Sequence, residues 1–237
     1  LPRNTTDDSF ITDSKCLPNF LISNVRSIGS KIDEFECILK FNNIDFACIT
    51  ESWLCPDILN SAIDISGYVT YRRDRNDGRI GGGVVCFVRN SMQCVHLKEL
   101  ECNEVESLWL LHRANRMPRL VSHILIGIIY HPPNANDNIT VAHILECLDI
   151  ISRKHSHVGI VLVGDFNKMK DRSILSFPLK QLVKRATRGK NVLDKIYSNI
   201  SNYFKAPIVL PPVGTSDHRV VVMHAVKHCK IIGNPYR

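Results

Sequence analysis

The chain has 237 residues, 44% of them hydrophobic, enough for one sizeable core. Its 30 Lys and Arg against 23 Asp and Glu give a net charge of +7, which admits a polyanionic partner without requiring one. No apolar run approaches the roughly 18 residues of a membrane span, the nine cysteines form no C-x-x-C pair, and the first residues hold no Met and no signal pattern, so an intracellular fragment of a longer product with reduced, mostly buried thiols is expected.

Residues 1–18 read as a lead-in, 19–228 as one domain and 229–237 as a tail. "NFLISNVRSI" (19–28) predicts a strand that ends in polar residues. Ser30 is positioned to cap the helix that follows, with Asp33 and Glu34 in its first turn and Ile32, Phe35, Ile38 and Leu39 on its buried face. "IDFACITESWL" (44–54) is the next strand and runs into Glu51. "GYVTYRRDR" and "GGGVVCFVR" predict a hairpin around Asn76, Asp77 and Gly78. "ESLWLL" and "HILIGIIY" are further strands, the second ending at Tyr130. Val141, Ile144, Leu145, Leu148 and Ile151 predict an amphipathic helix over 140–153. "VGIVLVGDFNKMK" (158–170) is an apolar strand that ends in Asp165. A short helix is expected over 178–185, and "LDKIYSN", "PIVLPP" and "HRVVVMHAV" complete the strands. No internal repeat, low-complexity segment or linker interrupts this order, so one domain of layered sheets is the economical architecture.

Asn24, Glu51, Tyr130, Asp165 and Asn167 all fall at C-terminal strand ends, where ligand sites form in layered α/β proteins. Ser216, Asp217 and His218 gather at the start of a later strand. Asp194 sits in the apolar context "VLDKIY", where an unpartnered carboxylate would be costly. Singly, each has an ordinary reading as a loop, turn or cap residue. The set, in this order within one domain, carries more weight. Side-chain alternation along an extended chain is expected to turn Phe166 away and leave Asp165 and Asn167 on one face.

"SNVRSI" (23–28), "ITESWL" (49–54), "RRDRNDGRIGGGV" (72–84), "IIYHPP" (128–133), "VGDFN" (163–167), "LKQLVKRATRGKNVLDKIYSN" (179–199) and "GTSDH" (214–218) cover a span of roughly 200 residues. Taken together they resemble the endonuclease/exonuclease/phosphatase superfamily, and within it the AP-like endonuclease domain of non-LTR retrotransposons of the jockey or CR1 kind. The resemblance implies an α/β fold, a four-layered, DNase I-like sandwich of two packed mixed β-sheets flanked by helices. It also implies Mg²⁺, with Mn²⁺ as a substitute, held chiefly by Glu51 with help from Asn24 and Asp217. By the same resemblance, Asp165 orients and deprotonates water, Asn167 and Tyr130 donate to the phosphate, and His218, partnered by Asp194, faces it as a cation. Thr187 and Ser216 are expected as DNA-backbone contacts.

Two basic clusters support DNA binding: Arg72, Arg73, Arg75 and Arg79 near the hairpin, and Lys180, Lys184, Arg185, Arg188 and Lys190 beside Thr187. Three positions depart from the family pattern. His131 stands where relatives often have Arg, "KRATR" lacks a Pro before "TR", and only six residues separate Thr187 from Asp194. The implied activity is nicking of double-stranded DNA in the nucleus for target-primed reverse transcription. No Tyr-x-Asp-Asp motif occurs here, so reverse transcriptase activity is not expected in this chain, and the resemblance implies a reverse transcriptase domain elsewhere in the full product. The alternatives are a repair AP endonuclease, a phosphatase, or an inactive DNA-binding relic.

Overall fold

In chain order, the strands of the computed structural model, which describes residues 17–75, 77–113, 117, 118 and 120–226, alternate with two helices. The tail 229–237, all but two residues of the expected lead-in, and Asn76 lie outside the described residues. β1 (Phe20–Asn24) leads through α1 (Ile32–Phe41) to β2 (Phe46–Thr50), then to the hairpin of β3 (Tyr68–Arg73) and β4 (Val84–Arg89). β5 (Cys94–His96), β6 (Glu106–His112) and β7 (Ile124–Tyr130) follow. α2 (Asp137–Lys154) then crosses to β8 (Gly159–Asp165), and β9 (Lys180–Gln181), β10 (Asp194–Ser198), β11 (Ile208–Pro212) and β12 (Arg219–Met223) end the fold.

The strands form two mixed six-stranded sheets, ordered β11-β12-β1-β2-β4-β3 and β5-β6-β7-β8-β10-β9. A helical crossover returns the chain in the same direction, so β1–β2 and β7–β8 are parallel, whereas the other neighbours are antiparallel. Phe20, Ile22, Phe46, Leu108, Ile126 and Val161 fill the space between the sheets. The alternate residues point outward. Leu21, Ala47 and Phe87 meet α1 through Phe35 and Leu39, while Trp109, Leu125 and Leu162 meet α2 through Ile144, Leu148 and Ile151. Helix, sheet, sheet and helix therefore stack in four layers, the DNase I-like sandwich. Burial of Phe35 and Leu39 contributes about 3–6 kcal/mol, at about 1.5–3 each. That packing is what holds a ten-residue helix, which would be marginal alone.

Three local expectations change. Ser30 caps nothing: a 3₁₀ turn over Gly29–Lys31 precedes α1, whose N-cap is Lys31. Buried Lys31 donates through Nζ to the carbonyls of Val25 and Arg26, and this drives the chain into a turn before the helix begins. α2 starts at Asp137, earlier than its apolar pattern, because the Asn136 side chain accepts from the Asn138 N–H at 2.9 Å. The segment 178–185 is not helical. Lys180 and Gln181 pair with β10, and the Leu182 N–H donates to the Ile196 carbonyl at 2.8 Å. The open edge of β10 offers these backbone groups partners that a helix begun at Pro178 cannot better.

The seven cysteines among the described residues are free thiols, as expected, but only three are buried, and Cys37 and Cys55 are exposed. No helix among the described residues is long and apolar enough to cross a membrane.

Candidate active site

Both parallel pairs end level, Asn24 opposite Thr50 and Tyr130 opposite Asp165. Face-to-face packing brings these two ends together. Asn24 Nδ2 donates to Asp165 Oδ2 at 2.9 Å, a bond between sheets and across 141 residues of chain. Glu51 follows β2, and its carboxylate is gripped from three sides: the Tyr130 hydroxyl donates to Oε1, while Trp53 Nε1 and the Gly82 N–H (3.2 Å) donate to Oε2. Asn24, Glu51, Tyr130, Asp165, Asn167, Asp217 and His218 all line one cavity of about 220 Å³. Left-handed backbone gathers here as well. Arg26, Ser27, Glu51, Trp53 and Asn167 all have φ between 45° and 76°, a conformation that persists only where the surroundings enforce it.

Asp165 is presented by Gly164. At φ 131° a Cβ on Gly164 would lie 2.0 Å from the Ile129 carbonyl oxygen, so only glycine lets β8 approach β7 here. Phe166 does turn away, packing on Tyr197 at 5.2 Å in the outer core. Alternation does not bring Asn167 back, however. The strand has ended, and Asn167 reaches the cavity through a left-handed turn at φ 46°. Its N–H donates to Asp165 Oδ1 at 2.9 Å, and its Nδ2 donates to the His131 carbonyl at 2.8 Å and to Asp165 Oδ2 at 3.3 Å. Both amide hydrogens are thus engaged, one on the His131 carbonyl and one on Asp165, rather than free for a phosphate. His131 is buried between Thr140 (2.9 Å) and Asp137 (3.0 Å), tying the start of α2 to this loop.

Antiparallel register sets Asp194 opposite Asp165. His218 Nδ1 donates to Asp194 Oδ2 at 2.8 Å, and His218 Nε2 stands 3.9 Å from Asp165 Oδ2. All three side chains are at most 2% exposed, deeper than an open strand mouth would leave them. Desolvation, then the Asp194 charge, pushes the Asp165 carboxyl up to about 6, against the opposing pull of His218, Asn24 and Asn167. Desolvation disfavours the His218 imidazolium, but Asp194, Asp165 and Asp217 outweigh it and raise the pKa above the ordinary histidine range. Burial and the Glu51 carboxylate raise the Tyr130 pKa strongly, so Tyr130 stays a neutral donor. Asp165, Asp194 and His218 bring ligand atoms within 4.8 Å of one another, a grouping able to hold a metal ion, and Asp194 Oδ1 is buried with no hydrogen-bond partner among the described residues.

The expected DNA contacts divide. Thr187 is fully buried, and its Oγ1 accepts from the Leu193 and Asp194 N–H groups at 3.0 Å each. Ser216 Oγ donates to the Asn24 carbonyl at 2.7 Å and accepts from the His218 N–H at 3.1 Å. Both brace the site from within and do not face a backbone outside it. Arg72 is committed to Asp74 and to the carbonyls of Cys55 and Ile58, and Arg73 to the carbonyls of Cys102, Val105 and Ser107. Those guanidinium groups tie loops to strands and have few donors left for phosphate. Lys184, Arg185, Arg188 and Lys190 are exposed as expected, in a segment closed tightly by an Arg188–Asn191 bridge. Asp217, expected near a metal, is instead held between Arg188 (2.6 Å) and Arg26 (3.6 Å), which with His218 keep its pKa low despite partial desolvation.

Sequence reasoning named the cavity's acids, amides and histidine but missed Trp53, His131 and Lys31 as supports. Trp53 lay within "ITESWL", two residues from Glu51, yet nothing in its spacing revealed the indole–carboxylate bond.

No family model and no curated protein matches the sequence. Solved structures do match. The endonuclease domain of TRAS1, a telomere-specific non-LTR retrotransposon, aligns with TM-score 0.67 at 12% identity over 88% of this chain and 98% of that one. AP endonuclease LMAP from Leishmania major aligns with TM-score 0.62 at 14% identity, over 94% and 91%. The 3′ phosphatase NExo from Neisseria, bound to a product DNA hairpin, aligns with TM-score 0.63 at 13% identity, over 89% and 100%. The chain therefore has the fold of AP-like endonuclease/exonuclease/phosphatase domains, a fold whose members include hydrolytic nucleases and phosphatases.

Proposed function

We propose that this domain is a divalent-metal-dependent phosphodiesterase that nicks double-stranded DNA, and that the nick primes reverse transcription of a non-LTR retrotransposon. One observation carries the reading: a buried Asp165, hydrogen-bonded to Asn24 and adjacent to an Asp194–His218 pair, shares a single cavity with Glu51.

The donor set fits a hard cation. Glu51 and Asn24 offer oxygen ligands of the kind Mg²⁺ prefers, and Mn²⁺ accepts the same set. The buried Asp194 Oδ1 and the raised pKa of Asp165 mark the interior as short of positive charge. In the Asp165–Asp194–His218 group that charge is supplied by the imidazolium proton, so Glu51, with Asn24, is the better holder of the ion. Asp217 is better read as the tether of Arg188 than as a ligand, because a cation there would have to displace two guanidinium groups. Such an ion supplies charge neutralisation at the phosphate.

Burial and the Asp194 charge raise the Asp165 carboxyl to about 6, which suits a group that must take a proton from an attacking water and later release it. His218, held cationic by Asp194, opposes the negative charge that grows on the phosphoryl oxygens as the bond to the leaving oxygen breaks. Asn167 and Asn24 fix the direction of the Asp165 carboxylate. Arg26 and Arg188, with half-exposed side chains at the rim, suit the flanking phosphates. Lys184, Arg185 and Lys190 extend that positive face. The retrotransposon assignment draws support from the "TRGKNVLDKIYSN" stretch and from the likeness to the TRAS1 domain, and it carries with it a reverse transcriptase elsewhere in the product and a nuclear site of action.

The test is supercoiled plasmid with the purified domain in Mg²⁺, in Mn²⁺ and in EDTA. Open circles with either metal and none in EDTA are expected. Equal nicking in EDTA would sink the metal requirement. Cleavage confined to abasic duplex, or release of phosphate from monoesters only, would replace this reading with repair or phosphatase activity.

A further inference from the structure

We propose that Ile80 is an apolar wedge that enters the base stack beside the scissile phosphate and biases where the strand is cut. The inference rests on the endonuclease reading and adds a determinant of specificity to it. Ile80 is 91% exposed, yet it lines the same cavity as Asp165 and His218. A lone exposed isoleucine is common on protein surfaces. This one is unusual in where it stands and in how firmly its base is held.

The loop below it is pinned. The Trp53 N–H donates to the Gly82 carbonyl at 3.0 Å, the Ser52 N–H to the Gly83 carbonyl at 3.2 Å, and the Gly83 N–H to Glu106 Oε2 at 2.6 Å. Gly81, Gly82 and Gly83 have φ of 91°, 72° and 79°, and added Cβ atoms would lie 3.3 Å from Trp53, 2.3 Å from Arg75 and 2.7 Å from Ser52 respectively. Glycine lets the loop lie flat on the cavity wall, so Ile80 is the side chain that projects. A pinned base loses little freedom on binding, which favours insertion over folding back.

The surroundings indicate what Ile80 meets. Arg26, Arg79 and Arg188 have side chains 51%, 66% and 43% exposed, and Arg26 and Arg188 line this cavity. Cations suit phosphates, whereas an aliphatic tip suits only the bases between them. The half-exposed ring of Trp53 continues the apolar rim on the same side. Aliphatic side chains are known to part neighbouring bases, and pyrimidine–purine steps part most readily. Burial of one isoleucine is comparable in free energy to the unstacking of one step, so the wedge decides between steps and not whether DNA is bound.

The test compares wild type with Ile80→Ser on end-labelled duplexes that present each dinucleotide step at the cut position. Fluorescence of 2-aminopurine at that step, read in EDTA, reports unstacking without cleavage. Wild type should favour flexible steps and brighten the probe. Ile80→Ser should flatten the preference by roughly 10-fold and lose the signal, with part of the loss recovered on a duplex whose step is already opened by a mismatch. Ile80 is 91% exposed, so the thermal unfolding of Ile80→Ser should match wild type and exclude misfolding. The same cleavage pattern and probe signal in both proteins would overturn the wedge while leaving the endonuclease intact. A wild type that neither binds nor cuts duplex would overturn the endonuclease reading itself.

Discussion

Asp165→Asn should make the protein more stable and less active at the same pH. Asp165 is 1% exposed, and its pKa is raised from 3.8 to about 6, first by desolvation and then by Asp194. The rise is about 2 units, worth about 3 kcal/mol at about 1.4 per unit. An acid whose folded pKa is raised contributes its full stability below pH 4, and that contribution is lost as pH rises through about 6. The amide titrates nowhere and escapes the loss. Against this gain, the new NH₂ would face the Asn24 and Asn167 Nδ2 donors at the Oδ2 position or the Asn167 N–H at the Oδ1 position, at a cost of about 1–2 kcal/mol. The variant should therefore be more stable than wild type by about 1–2 kcal/mol at pH 8 and less stable by a similar amount at pH 4, so the two curves cross. Urea unfolding in EDTA at several pH values measures this without interference from bound metal. Nicking in Mg²⁺ should fall by at least about 100-fold, the scale of general-base help. A variant less stable at pH 8, or a stability gap independent of pH, would refute the claim that Asp165 is held as a strained charge.

His218→Ala should also lower turnover by at least about 100-fold, but with the opposite effect on stability: a loss of about 3–5 kcal/mol, because buried Asp194 is left without its charge partner. Urea titration paired with single-turnover nicking checks both, and turnover within a few-fold of wild type would remove His218 from the chemistry. Replacing Lys184, Arg185 and Lys190 together with Ala should reduce the log–log salt slope of duplex binding by roughly 0.9 per lost phosphate contact, with cleavage largely restored at saturating DNA. An unchanged slope would mean this exposed face does not touch DNA.

What the sequence determined alone was the frame and the chemistry offered to it. Apolar runs of strand length that stop at Asn24, Glu51, Tyr130 and Asp165 were legible because a buried strand can bear polar groups only at its ends. The two helices were legible because their apolar faces repeat at helical spacing. What only the tertiary structure decided was which polar groups remain free for a substrate. Thr187, Ser216, Arg72 and Arg73 have suitable side chains in suitable motifs, but each is engaged by partners fixed through packing, in the case of Ser216 by a carbonyl 192 residues away. The segment 178–185 went wrong for the same reason, since the open edge of β10 outweighed its local preference. Local propensity acts within a few residues, whereas a hydrogen-bond donor takes the nearest acceptor in space. In a sandwich of two sheets that acceptor belongs as readily to the facing sheet as to the same strand, so the Asn24–Asp165 bond and the Tyr130 grip on Glu51 exist only once the sheets have packed.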